Sequence, residues 1–363
     1  MSPRVGFLSF RFGSSDGVSA VARTWMEAFE SFGFDVRTIT GEPGSDVFID
    51  GLGLVPPAPD GSDLDRTIDR IRSKVGEATH DLDLVVVENL LTIPINLPAA
   101  RAVAGALKGR PALIHHHDPP WQRARFAHIT ELPATDPSWR HVSINGLLQS
   151  ELLARGIDSA LIYNGFAAPD LSDVAGRAVL RKQTRDLLDV AEDELLLAHP
   201  VRAIERKNIP AAIRTAEQLD GIYWLLGPAE EDYGPELARL LASARCRVVH
   251  RRCDGTDEIY TAADHVLFPS TWEGFGNPPV EAAFQRRTVS VGDYPVGREL
   301  RKLGFNWLDS DDLSGISEAI RDPHSESVRG MLDTNEQVAH AHFSITRMRD
   351  SLRRLLEDAG WLP

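Results

Sequence analysis

Cysteine is nearly missing from this chain: only Cys246 and Cys253 are present, and their spacing is not that of a C-x-x-C pair. That excludes a disulfide framework and leaves no sign of a zinc site. No apolar run approaches the roughly 20 residues that a membrane helix requires. The opening MSPRVGFLSFRFGSSDG holds a short apolar strand in place of the long apolar core of a secretory signal, so the chain reads as cytoplasmic. Basic residues are outnumbered, 39 Lys and Arg against 53 Asp and Glu, for a net charge of −14. Nucleic acid is therefore a poor partner, because neutralising phosphates takes clustered Lys and Arg. Strong docking on anionic membranes, which uses polybasic segments, is disfavoured for the same reason. Also lacking is a G-x-G-x-x-G turn after the first strand. Arg11-Phe12-Gly13-Ser14-Ser15-Asp16-Gly17 does not supply one, which argues against a dinucleotide-dependent dehydrogenase.

What is present describes an ordinary soluble protein, with 42% hydrophobic and 25% charged residues. At 363 residues the chain exceeds the comfortable size of one core, so two domains are expected. Short apolar runs alternate with helical patterns from the start, the signature of an α/β design with parallel sheets. Strands are predicted at 5–10, 35–40, 82–87, 112–115, 140–144 and 160–163. A helix over 18–32 places Val21, Trp25, Phe29 and Phe32 near one face. Residues 41–63, rich in Pro, Gly and Asp, read as a surface excursion. The turn-rich segment 164–170 reads as a linker. A second series of strands follows at 195–199, 223–226, 247–250, 265–268 and 288–291, with helices between them. The tail is expected to be helical over 335–359.

In open parallel sheets, ligands gather at the carboxyl ends of the strands. Glu88-Asn89 and His116-His117-Asp118 follow two such strands in the first half. In the second half, Arg202 and Lys207 lie just beyond the strand ending at His199. Two cations there can neutralise a diphosphate leaving group as its charge develops; Arg206 is expected to face solvent. Farther on, a strand ends at Pro269 and a helix starts near Asn277, with Asn277 suited to the N-cap and Pro278 to the first helical position. The two prolines remove N–H groups there, so Gly274, Phe275 and Gly276 are the better backbone donors. Glu273 and Glu281 are separated by seven residues, a spacing that lets both carboxylates bind hydroxyls along one ligand. The basic residues Arg177, Arg181, Lys182 and Arg185 read as a solvated helix face.

Glu273 through Glu281 resembles the E-x7-E signature of retaining glycosyltransferases with the GT-B fold, in glycosyltransferase family 4. Other landmarks similar to the family's occur in order: Asp16-Gly17-Val18, His117-Asp118, Asn164-Gly165, Arg202 with Lys207, and Tyr260-Thr261-Ala262-Ala263-Asp264. The resemblance implies two Rossmann-like domains facing across a cleft: 1–165 on the acceptor side and 170–342 on the donor side. A C-terminal helix of about 343–363 would return to the first domain. It implies that Glu281 binds the ribose hydroxyls and Glu273 the transferred sugar, while Arg202 and Lys207 hold the diphosphate with no metal and no cofactor. Gly17 would let backbone approach the reacting centre, and His117 would lie near the donor sugar. Asp16, Glu88, Asn89 and Asp118 are acceptor-side candidates.

The donor would be a UDP- or GDP-hexose and the acceptor a hydroxyl of a small polar metabolite or saccharide. Two departures from the family pattern bear on donor preference. Arg286-Arg287-Thr288 replaces the usual Gly-x-Pro, and residues 292–299 do not form a Gly-Gly loop. A non-catalytic sugar- or nucleotide-binding regulator is the rival reading, but it would not need Arg202, Lys207, Glu273 and Glu281 together.

Overall fold

The computed structural model describes residues 2–13, 17–56, 64–253 and 255–363. The chain folds as two compact units, Met1–Gly165 with Ile345–Pro363, and Phe166–Ser344. No helix among the described residues is long and apolar enough to cross a membrane.

The first unit carries a seven-stranded parallel sheet in the order β3-β2-β1-β4-β5-β6-β7. Its strands are β1 (Arg4–Leu8), β2 (Asp35–Thr40), β3 (Val47–Phe48), β4 (Leu84–Glu88), β5 (Ala112–His116), β6 (Trp139–Ser143) and β7 (Ala160–Leu161). β4 reads Leu-Val-Val-Val-Glu and is buried along its whole length, as a central parallel strand covered on both faces must be. The excursion after β2 contributes the short edge strand β3, which the Pro- and Gly-rich composition had hidden. Helix α1 (Gly17–Ser31) lays Val21, Trp25 and Phe29 against one face of the sheet, four residues apart on one stripe. Helices α2 (Leu64–Thr79) and α3 (Leu97–Leu107) pack in the core on the opposite face. α3 begins where it does because the Asn96 side chain accepts from Ala99 N–H; its amide also donates to the carbonyls of Gly51 and Gly53. α4 (Gly146–Leu153) is capped likewise by Asn145.

The second unit carries a six-stranded parallel sheet in the order β10-β9-β8-β11-β12-β13. Its strands are β8 (Leu196–His199), β9 (Ile222–Leu225), β10 (Val248–His250), β11 (His265–Phe268), β12 (Val289–Val291) and β13 (Leu308–Asp309). The strand order reverses between β8 and β11, a topological switch point whose carboxyl ends open a ligand crevice. α5 (Val174–Leu187) precedes this sheet; α6 (Ile209–Gln218), α7 (Gly234–Ser243), α8 (Thr256–Ala262), α9 (Asn277–Phe284), α10 (Pro295–Lys302) and α11 (Leu313–Arg321) follow in turn.

The expected single tail helix is two helices, α12 (Glu326–Phe343) and α13 (Ile345–Asp358). Ser344 between them is extended, with φ −68° and ψ 150°. The break divides the apolar series. Phe343 packs on Phe275 and Phe305 in the second unit, whereas Met348, Leu352 and Leu356 join the core of the first.

The basic face of α5 is solvated only in part: Lys182 is exposed as expected, but Arg181 and Arg185 turn inward. Arg185 is only 1% exposed and donates to the carbonyls of Ala191, Glu194 and Ala262 and to Asp264. Arg181 donates to the carbonyls of Thr261 and Ala262 and to Asp264. The two guanidinium groups thereby satisfy the carbonyls left open at the end of α8, a role that only the folded neighbourhood reveals. Replacing Arg185→Leu should cost about 3–5 kcal/mol, because buried acceptors lose their cation. The check is a lower urea midpoint, and a variant as stable as the parent would remove this account.

Candidate functional site

The second unit assembles the basic pair and the two signature glutamates around the switch point. After β8, residues Glu205–Lys207 form a tight 3-10 turn that leads into α6. Lys207 is 8% exposed and Glu273 5%, yet the two meet directly, with Lys207 Nζ 2.5 Å from Glu273 Oε1. Arg206 Nη1 lies 2.8 Å from the other oxygen, Oε2, and 3.0 Å from the Trp272 carbonyl. Arg206 therefore does not face solvent as expected; the turn after β8 aims it at the loop after β11. Burial alone would raise the Glu273 carboxyl, and the charges of Lys207 and Arg206 overturn that and hold it below its ordinary value. Lys207 is pushed down by burial, against the pull of Glu273.

Arg202 stands on the segment between β8 and that turn, and its guanidinium pairs with Glu230 at 2.5 Å. Both side chains are about one-third exposed, so solvent screens the pair and it is easily exchanged. The Arg202 segment is laced to the loop after β9: Gly227 N–H donates to the Val201 carbonyl and Ala203 N–H to that of Pro228. A Cβ at Gly227 would meet Val201 O at 2.5 Å and Arg202 Cα at 2.7 Å. Only glycine allows that approach.

Glu281 sits inside α9, where its carboxylate accepts from the Tyr260 hydroxyl at 2.6 Å. Burial raises the Glu281 carboxyl, and the Tyr260 hydrogen bond partly restrains it. Helix α9 starts with Asn277, and Gly276, not Asn277, occupies the N-cap position, with no side-chain cap. The reason is conformational. Gly276 has φ of +98°, and a Cβ there would meet the Tyr294 hydroxyl at 2.3 Å. Tyr294 thus fills the space behind the loop, within the segment that departs from the family's Gly-Gly pattern. Phe275 turns inward onto Phe166 and Phe343 and anchors the loop through Gly274, Gly276 and Asn277.

In the first unit, the ends of β4 and β5 bring Glu88, Asn89, His115, His116, His117 and Asp118 together. Glu88 is 0% exposed, and His115 Nδ1 and His117 Nε2 lie 3.0 and 3.1 Å from its Oε2. Burial would raise the Glu88 carboxyl, but the two imidazoles outweigh it and hold the group at about 2. Burial pushes His115 down, so it is neutral and donates through Nδ1, while its Nε2 has no partner among the described residues. Trp25 stacks on the His115 ring at 4.0 Å. The ligating atoms of Glu88, His115 and His117 lie within 4.8 Å of one another, as they would around a metal ion; hydrogen bonds among the three already account for the arrangement.

His116 is taken up by Thr92 and His141, which leaves His117, at 5%, the only one of the three with any exposure. Asn89 has φ of +58°; its side chain accepts from His117 N–H and Asp118 N–H and donates to Asp118. Glu88 and Asn89, read as acceptor contacts, are thus spent on holding the two strand ends together. Asp118 also pairs with Arg123 at 2.6 Å, a cation that sequence reasoning missed because the pairing crosses a local turn. Gly17 opens α1, and Asp16 lies outside the described residues.

Replacing Glu88→Gln removes the carboxylate that both imidazoles share and should cost about 2–3 kcal/mol at neutral pH. A depressed carboxyl stabilises above its unfolded value near 4.5 and loses that contribution as pH falls through about 2. The gap between parent and variant should therefore shrink on acidification over that window, as denaturation curves would show; a constant gap would contradict the assignment.

No family model matches the chain. Mannosylglucosylglycerate synthase of Thermotoga maritima is 24% identical, over 97% of this chain and 99% of its own length. The enzyme of the same name from Petrotoga mobilis is also 24% identical, over 97% and 96%. Among solved structures, Anabaena HepE in complex with UDP-glucose superposes with a TM-score of 0.71 at 18% identity, covering 98% of this chain and 99% of that one. Sucrose-phosphate synthase from Thermosynechococcus elongatus gives 0.70 at 16% identity, covering 98% of each chain. With its two Rossmann-like sheets the chain has the GT-B fold, and over nearly its whole length it is similar to glycosyltransferases of the family 4-like type.

Proposed function

We propose that the protein transfers a hexose from a nucleoside-diphosphate sugar to a hydroxyl of a small polar acceptor, with retention of configuration and without a metal ion. The observation that carries this reading is the buried Lys207–Glu273 pair joining the turn after β8 to the loop after β11, with Arg202 within electrostatic reach of Lys207 and Glu281 on the helix that follows the loop. Arg202 and Lys207 neutralise the departing diphosphate, which is the work a divalent ion would otherwise do. Glu273 binds hydroxyls of the transferred sugar, Glu281 those of the ribose, and the loop through Gly274, Phe275, Gly276 and Asn277 lines the donor. As the bond from the anomeric carbon to the diphosphate oxygen breaks, the bond to the acceptor oxygen forms on the same face. The acceptor proton passes to the departing diphosphate. In the first unit, His117, held by Glu88, is the candidate contact for the donor sugar, and Gly17 and Asp118 are candidates for the acceptor.

UDP-glucose in the HepE complex supports a UDP-sugar donor, while two relatives named for mannosylglucosylglycerate keep a mannosyl donor in the comparison. The same names point the acceptor search to glucosylglycerate and similar small hydroxy-acid glycosides. The direct test measures transfer and donor hydrolysis with UDP-, GDP- and ADP-sugars in the presence of chelator. Turnover that persists in chelator supports the reading, and strict metal dependence contradicts it. Binding of sugar nucleotides without any turnover would favour a regulatory protein.

Two site-specific outcomes follow from the geometry. Lys207→Ala should lower kcat/KM by roughly 100-fold or more, the usual loss when a group that stabilises transition-state charge is removed. Equal kcat/KM in parent and variant would place the diphosphate elsewhere. For Glu281 the sign is opposite to that of Glu273. Its raised carboxyl takes up a proton as pH falls, so the donor KM should climb on the acid side. Tyr260→Phe removes the hydrogen bond that restrains the carboxyl and should move that climb to higher pH; an unmoved KM profile would exclude Glu281 from nucleotide binding.

A further inference from the structure

Arg206 has no role in the donor site proposed above, yet the structure fastens it there at several points. Its side chain bridges Glu273 Oε2 and the Trp272 carbonyl. Its own carbonyl accepts from Thr271 N–H at 2.9 Å and from the Thr271 hydroxyl. The turn after β8 is thus stitched to residues 271–273 by main chain and side chain together.

The consequence concerns Lys207. Its ammonium lies 2.5 Å from Glu273 Oε1, and the same ammonium is the group that must meet the diphosphate. When it turns to the phosphates it gives up much of its hold on a carboxylate that is almost fully enclosed. A buried carboxylate without a cation takes up a proton or loses its aim. Arg206 is the second cation on that carboxylate, on its other oxygen, and the Trp272 carbonyl holds its guanidinium in place. The planar fork of arginine suits this double contact, whereas a lysine offers one mobile point charge. We propose that Arg206 is a positioning residue of the donor site, one that keeps Glu273 ionised and aimed at the sugar while Lys207 is handed over to the diphosphate. The inference rests on the donor reading and assigns within it a residue that touches neither sugar nor phosphate.

The charged and titratable groups around Glu273 are Lys207 and Arg206 from the turn after β8 and Tyr294 ahead of α10; Arg202 acts on Lys207, and Lys207 in turn on His199. Of these, Arg206 is the cation that stays on Glu273 when Lys207 moves. The experiment compares Arg206→Gln and Arg206→Lys with the parent, in donor kinetics against pH and in calorimetric binding of UDP and GDP without a sugar. Arg206→Gln should lower kcat/KM for the donor sugar by roughly tenfold or more, the loss of a charge-assisted hydrogen bond. The acid limb of its profile should shift to higher pH. Binding of the bare diphosphate should change little, because Glu273 serves the sugar. Arg206→Lys restores the charge and should recover most of the acid limb; if Arg206→Gln does not fold, this limb still decides, since a lysine variant with the acid limb of the parent supports the charge role. A fully displaced acid limb in Arg206→Lys overturns it. So does an Arg206→Gln variant with parental kcat/KM and pH profile in an enzyme that Lys207→Ala inactivates, and that result leaves the donor reading standing. An unmutated protein that turns over no donor overturns both.

Discussion

Glu273 is a carboxylate enclosed by protein, and its two oxygens are held by two different cations, Lys207 and Arg206. Taking three charges out of water is costly unless each meets an opposite charge at hydrogen-bond distance. Here the loop after β11 supplies the anion and the turn after β8 the cations. These strands are neighbours in the sheet, joined at His265 and Leu197, and they flank the point where strand order reverses. The ion cluster therefore ties together the two connections that shape the crevice. Much of the remaining architecture serves to present it: Gly227 lets the Arg202 segment pass close to the β9 loop, and Gly276 turns the chain into α9 over the Tyr294 hydroxyl.

The first unit repeats the architecture with a different outcome. It too has parallel strands whose carboxyl ends gather polar residues, and it too encloses a carboxylate, Glu88. Its partners, however, are imidazoles. Each imidazole spends one ring nitrogen on that carboxylate, so the Glu88 cluster is a fixed frame around His117. The cations of the second unit have alternative anionic partners. Arg202 rests on a screened Glu230 that is about one-third exposed, and the Lys207 ammonium has three donors to distribute. The proposed exchange of a diphosphate at Arg202 and Lys207 calls for such exchangeable pairs.

Relatives at 24% identity spanning nearly the full length, and folds that superpose at TM-scores of 0.70 and 0.71, share the frame while leaving room for local change. The segment around Tyr294 is one such place. A buried tyrosine packs against Phe268 and the Gly276 backbone, so the wall of the loop after β11 is aromatic. This wall lies beside the Glu273 region, which makes it a point where donor preference can diverge without altering the ion cluster.

Periodicity and composition by themselves determined the α/β class, the alternation of strands and helices, and the placement of Arg202, Lys207, Glu273 and Glu281 after strand ends. Those features depend on local rules: strands buried on both faces must be apolar, and polar residues gather where such strands stop. Pairings across long stretches of sequence were decided only in the folded chain. Arg206 read as solvated because nothing within a few residues could claim it, and its partner lies 67 positions away. Arg185 read as part of a wet helix face for the same reason, though its acceptors include Ala262, 77 positions on. Glu88 and Asn89 were legible as strand-end polar residues but not as groups consumed by His115, His117 and Asp118. Asn277 was legible as a cap by residue type, yet the left-handed turn at Gly276 took that position. A sequence announces which residues are able to carry charge near a site; the partner that meets each charge depends on which strands become neighbours, and that is a property of the tertiary structure.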